Sequence, residues 1–434
     1  MKKSNLFLVL MMALIVMSCS KDETTMSIPQ ESNAIEFGTY VGRSAQTRAS
    51  DITTDVLKGK VNTDDDTWIP GTGFGVFAYY TSERAGGLGS TTDGKYVIDT
   101  SKPNFMYNQK VEWKADTVGS ATGAWEYKPV KYWPNQVNGN ADHNKDYVSF
   151  FAYAPYSAAS TTDALNNFTF TPANDAPGDP KITYIVNTDV KKQEDLLWGV
   201  ESTSGLPFLN QQKQTTTGNI KFQFKHALAR IGFNVEAMVD LVNDTITGHP
   251  DVTPGTANGT IDDSTKIVVT KVELIGNFYP SGTLNLNNTA PNEPLWDGVA
   301  GTEDRTFELT PTDNFETVAD HGEEPKTHGQ AVTIGKLPLN NDDSYLMVIP
   351  QKFESGSEVK IRVTYDVITS DDKLDTKQSK VTNVITSDEF PFNFVGGNAY
   401  TFNLHLGMTS VKFDADVTEW AEGGETVVNV PINN

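Results

Sequence analysis

From residue 35 to its end the chain is written in short runs of alternating or β-branched residues, each broken by Gly, Pro, Asn or Asp. Phe74 to Tyr80, Tyr147 to Tyr153, Ile182 to Val186, Ile220 to Phe224, Ile267 to Leu274, Val359 to Val367 and Tyr400 to Leu406 are the clearest. A period of two places alternate side chains on opposite faces of a strand. Runs of this kind, with turn signals about every 8–12 residues, point to β-sandwiches and exclude helical and α/β folds. Helical candidates are brief. The best is Lys225 to Ala229, too short to organise a domain.

The first residues concern location. Lys2 and Lys3 precede an unbroken apolar run, Leu6 to Met17, then Ser18 and Cys19, the sole cysteine. A basic start and a short apolar core form an export signal, too short for a stable membrane-spanning helix. A small residue before a lone cysteine resembles a bacterial lipobox, in which the chain is cut before the cysteine and its thiol takes lipid. An ordinary signal peptide with an incidental cysteine is the alternative. Ser20-Lys21-Asp22-Glu23 resembles the acidic signal that sends lipoproteins of the Bacteroidetes to the cell surface. Residues 1–18 are thus expected to be the signal peptide and 19–48 a lipidated leader, whose polar residues 20 to 33 form a tether.

If Cys19 carries lipid, no disulfide forms, and stability must come from packing and backbone hydrogen bonds. A formal net charge of −22 argues against nucleic acid and anionic membrane as partners and suits a solvated outer surface.

The 434 residues are too many for one typical domain. The stretch from Ile220 to Val235 reads as two strands joined by a compact turn. A boundary near 228 divides the body into 49–228 and 229–434, with a tail at about 410–434. Polar stretches at 210–219 and 240–265 are loops or the junction itself. Asp146 to Pro155 and Asp343 to Pro350 echo each other as strands that follow an Asp and stop at a Pro, which cannot donate to a ladder.

Several segments converge on one family. Trp125-Glu-Tyr-Lys-Pro-Val-Lys-Tyr132-Trp133-Pro134, followed by Ser149 to Pro155, resembles the N-terminal part of the fimbrillin-like proteins of Bacteroidetes. So do Asp195-Leu-Leu-Trp198-Gly199 and Phe222 to Arg230, and so does the ending, Tyr400 to Gly407 then Val417-Thr-Glu-Trp420. The resemblance implies an all-β fold of two transthyretin-like Greek-key β-sandwich domains in tandem. It implies a structural subunit of a type V pilus, exported as an outer-membrane lipoprotein precursor and cut after an arginine by a trypsin-like surface protease. Such subunits polymerise by donating a C-terminal strand to another fimbrial subunit, in a homo- or hetero-polymer that supports adhesion.

That mechanism makes three demands on the residues. The first is a removable N-terminal strand. Ile35-Glu-Phe37-Gly-Thr39-Tyr-Val41 alternates, with Ile35, Phe37, Thr39 and Val41 on one face. The second is an arginine between that strand and the body. Arg48, followed by Ala49, lies among small polar residues that a protease can bind extended; Arg43 is the alternative. A cut at Arg48 would remove Cys19 and the strand together. The third is a detachable C-terminal strand. Thr426, Val428, Val430 and Ile432 share a face after the flexible Glu422-Gly-Gly-Glu425. Each set offers four inward side chains, one of them Thr. Pro431 counts against pairing along the whole tail. The alternative for the tail is an edge strand folded on its own domain, which would suit an anchor or terminator.

Other constellations do not form a catalytic site, and no enzyme activity or cofactor is expected. The six histidines (His143, His226, His249, His321, His328, His405) lack zinc-ligand spacing. Trp198-Gly199 and Lys131 to Pro134 are core aromatics or, alternatively, stacking platforms of a surface lipoprotein that binds polysaccharide. Asp64-Asp65-Asp66 and Asp342-Asp343 lack the spacing of a calcium loop. Asp116-Thr-Val and Asp244-Thr-Ile resemble short O-glycan acceptor motifs. Stalk, anchor and tip positions are not distinguished.

Overall fold

The computed structural model describes residues 34–41, 54–61, 68–83, 90–116, 122–134, 146–158, 168–173, 175–213, 219–237, 265–311, 330–332, 337–338, 345–354, 356, 358–406, 411–419 and 425–427. The protein is all-β. Its first half contains β1 (Glu36–Val41), a short helix α1 (Thr54–Lys58), β2 (Phe74–Ser82), β3 (Met106–Ala115), β4 (Gly123–Glu126), β5 (Asp146–Ala154), β6 (Lys181–Ile185), β7 (Leu197–Glu201) and β8 (Asn219–His226). The second half contains β9 (Ala229–Ala237), β10 (Thr265–Phe278), β11 (Ser281–Asn285), β12 (Glu303–Leu309), β13 (Lys360–Ser370), β14 (Gln378–Thr386), β15 (Asn398–Leu406), β16 (Val411–Glu419) and β17 (Glu425–Val427). Other strands lie between them. All seven runs singled out by their alternation coincide with strands, Val186 and Val359 each lying one residue outside. Lys225–Ala229 is not helical: it spans the end of β8, a two-residue turn and the start of β9. The alternation of Phe222, Phe224 and His226 wins over the local helical preference of Ala227-Leu228-Ala229.

Among the described residues the main sheet runs β1-β8-β7-β5-β2-β3-β4, with Phe208–Gln211 also pairing β5. Its central strands are buried on both faces. Phe74, Val76 and Ala78 of β2 face one core; Phe77 and Tyr79 face another. Phe150 and Ala152 of β5 join the first core, Phe151 and Tyr153 the second. This explains the nearly continuous apolar sequence of both strands, since a strand covered on both sides cannot alternate with polar residues. The first core is closed by β1, by Leu57 of α1 and by Tyr127 and Trp133.

The second core reaches across residue 228. It includes Ile231 and Phe233 of β9, Val269 and Val272 of β10, and Phe402 and Leu404 of β15. The polypeptide passes from β8 to β9 through Ala227 and Leu228, both fully buried. β9 belongs to a different sheet, running β9-β15-β16-β17, and β10 to a third, running β12-β10-β13-β14. A fourth sheet unites the halves. β6 pairs antiparallel with β11, from Ser281 opposite Ile185 to Asn285 opposite Lys181. The Thr183 and Thr283 hydroxyls meet across it at 3.0 Å. Sheet membership therefore changes near 228, while the core and one sheet continue through.

Candidate functional site

Both described ends of the chain are outermost strands. β1 closes the main sheet on the β8 side, and β17 closes the sheet of β9 and β15. Among the described residues each pairs with a single neighbouring strand, and the start of β1 is held besides by a bridge and hydrogen bonds on its other side.

β1 lies parallel to β8, from Glu36 opposite Asn219 to Val41 opposite Phe224. Its start is also held from the other side. The Ile35 N–H donates to the Lys131 carbonyl at 2.9 Å. The Tyr127 hydroxyl donates to the Ile35 carbonyl at 2.8 Å and accepts from the Lys131 N–H at 3.1 Å. Ala34 bridges Tyr132 antiparallel. Burial raises the Tyr127 phenol above its ordinary value, so it stays a donor. These contacts engage backbone atoms, and so they set the position of β1 independently of its side chains.

Ile35 and Phe37 are buried, Phe37 to 5% exposure. The Phe37 ring sits 5.2 Å from Tyr127, 5.9 Å from Phe150, 6.1 Å from Phe222 and 6.3 Å from Phe74, centroid to centroid. Thr39 also turns inward, and its Oγ1 is buried with no hydrogen-bond partner among the described residues. Such an atom has given up water without compensation, a penalty of about 1–3 kcal/mol. Val41 is placed by register alone. Cys19, Arg48 and Ala49 lie outside the described residues.

The beginning of the tail is folded onto its own sheet. β17 pairs antiparallel with β16, Thr426 opposite Val417 and Val427 opposite Asp416. Val428, Val430, Ile432 and residues 422–424 lie outside the described residues. The two proposed exchangeable strands are not brought together; they end different sheets.

The remaining candidates are structural where they are described. The His226 Nδ1 lies 2.7 Å from the Asp195 carboxylate in the interior. Trp198 is 1% exposed and Trp133 5%, so neither presents a ring face to a sugar; the exposed ring of the Lys131 to Pro134 segment is Tyr132, at 61%. His143, His249, His321, His328 and both Asp clusters lie outside the described residues. Among the described residues no group of three His, Cys, Asp or Glu side chains is placed to hold a metal. The sequence reading missed the role of Tyr127 and the rings of Phe74, Phe150 and Phe222. They come from four separate parts of the chain, and only β5, β8 and β2 as strands had a sequence signal.

These observations define an all-β protein with an edge strand at each described end. The fimbrillin-like family profile matches residues 47–420. The chain belongs to the fimbrillin-like family. Fimbrium subunit Fim1C of Phocaeicola vulgatus is 27% identical to it over 444 aligned positions, covering 98% of both chains. The crystal structure of a fimbrial protein from Bacteroides vulgatus ATCC 8482 is similar in fold, with a TM-score of 0.60 and 24% identity, covering 89% of this chain and 99% of that one.

Proposed function

We propose that this protein is a structural subunit of a cell-surface fimbrium and assembles with other fimbrial subunits by strand exchange. The observation that carries the reading is β1: an outermost strand, first in the described chain, seated by apolar side chains and joined to the body through a segment that contains Arg48. Lipid on Cys19 would hold the precursor at the outer membrane. An arginine-specific surface protease cutting between Arg48 and Ala49 would separate β1 from the body covalently while leaving it in its seat. Ile35 and Phe37 together hold β1 by roughly 3–6 kcal/mol of apolar burial. Each net ladder bond adds about 0.5–1.5 kcal/mol. Departure of β1 bares the edge of β8 and the trough beneath, a template for strand addition. The donated strand is the tail, including Thr426, Val428, Val430 and Ile432, released from β16. Residues 49–228 and 229–434 form the two β-rich units of the mature subunit.

The test is the N-terminus of protein taken from the cell surface. It is expected to begin at Ala49, in species that run as ladders on unheated gels. Surface protein found only as lipidated, uncut monomer would contradict the reading. So would filaments that persist after deletion of the last ten residues.

A further inference from the structure

The seat of β1 is not a uniform apolar trough. At Phe37 it is a cage of aromatic rings, with walls on β2 (Phe74), β5 (Phe150), β8 (Phe222) and the segment after β4 (Tyr127). The walls are braced from behind. Phe222 meets Phe208 edge-on at 5.4 Å and Phe74 at 6.2 Å. Phe150 meets Trp133 at 5.7 Å. Gly199 leaves the room that Phe222 uses, since a Cβ there would come within 2.9 Å of that ring. A cage fixed by several strands cannot contract around a smaller side chain, so the lost ring becomes a void.

The last part of the tail, after Trp420, has nothing to fill it. No Phe, Tyr or Trp lies between Ala421 and Asn434, and the alternating set read from the sequence is Thr426, Val428, Val430 and Ile432. In either direction of entry the side chain set against the cage is aliphatic or Thr. Meanwhile the backbone contacts of Tyr127 and Lys131 at Ile35 fix where an incoming strand starts, and so which of its side chains meets the cage.

Resting on the strand-exchange reading above, we propose that the β1 seat selects a donor strand with an aromatic side chain at the Phe37 position. The neighbour that fills this seat is then a different subunit, not a second copy of this chain, and the tail of this chain serves a seat lined for aliphatic residues.

The test varies only peptides, so folding of the protein is not at issue. Full-length protein carrying Arg43→Gln is nicked after Arg48 by limited arginine-specific digestion. Displacement of its retained N-terminal segment by synthetic peptides is then followed by mass spectrometry. The peptides are residues 33–43, the same with Phe37→Val, residues 424–434, and that tail with Val428→Phe or with Val430→Phe. The Phe37→Val peptide is expected to need at least tenfold more for half-displacement than its parent. One of the two phenylalanine tails is expected to gain at least tenfold over the native tail. The proposal is overturned if the native tail matches the 33–43 peptide, or if phenylalanine changes displacement by less than threefold in both series. If even the 33–43 peptide displaces nothing, the seat does not exchange strands, and the parent reading falls with this one.

Discussion

Thr39 and Glu194 show how single groups set the stability of this molecule. The buried hydroxyl of Thr39, without a hydrogen-bond partner among the described residues, weakens the grip on β1. Replacing it by the isosteric Val removes the desolvated oxygen. Thr39→Val should raise stability by about 1 kcal/mol, read from urea midpoints, and slow loss of the N-terminal segment after nicking. Unchanged or lower stability would mean that the hydroxyl is satisfied. Glu194 sits between a turn at Val190–Lys192 and β7. Burial, and then the neighbouring Asp195 carboxylate, push it up to about 7 from an ordinary 4.5. The folded state therefore holds a proton that the unfolded chain releases, and the stability it contributes falls as pH rises from about 4.5 to 7. Glu194→Gln should flatten that slope. Midpoints at pH 5 and pH 8 for both proteins test this, and an identical pH dependence would refute it. On β10 and β13, Glu273 and Arg362 stand opposite each other and form a bidentate pair at 2.6 and 2.7 Å. The guanidinium holds Glu273 below its ordinary value, so this contribution is present at neutral pH and lost as pH falls through the folded value.

At the scale of elements, β1 is an independent unit on a fixed platform. Phe37→Ala removes the ring from its cage and should lower stability by about 3–5 kcal/mol. Amide exchange should then rise first in Glu36–Val41, before β2 and β5, because a terminal edge strand can open alone. Uniform loss of protection across the main sheet would argue instead that β1 is integral to it. Much of this element was legible. The period of two gave β1 its inward face, and Ile35 and Phe37 are buried as that period requires. What was not legible is its partner. Alternation fixes faces but carries no information on which strand lies alongside, and β1 pairs parallel with a strand some 180 positions away. The cage was hidden for the same reason, since Phe74, Tyr127, Phe150 and Phe222 meet only through tertiary contacts. Lys225–Ala229 misled because two helix-compatible residues, Ala227 and Leu228, happen to form the turn.

At the scale of the whole molecule, the sequence suggested two beads and the structure adds a seam. The turn at Ala227-Leu228 joins β8 of one sheet to β9 of another. The pairing of β6 with β11 had no sequence signal, because neither strand's faces are altered by which half supplies its neighbour. With a core running from Phe77 to Leu406 and a sheet shared by both halves, heating should give one calorimetric transition whose enthalpy equals the van't Hoff value. Two resolved transitions would show that the halves melt as separate bodies. The β6–β11 seam also bears on the mechanics of any assembly. Subunits stitched internally in this way have no weak waist at which to flex. A filament made of them would concentrate its bending compliance at the joints between molecules, and its stiffness would be set by how firmly each borrowed strand is seated.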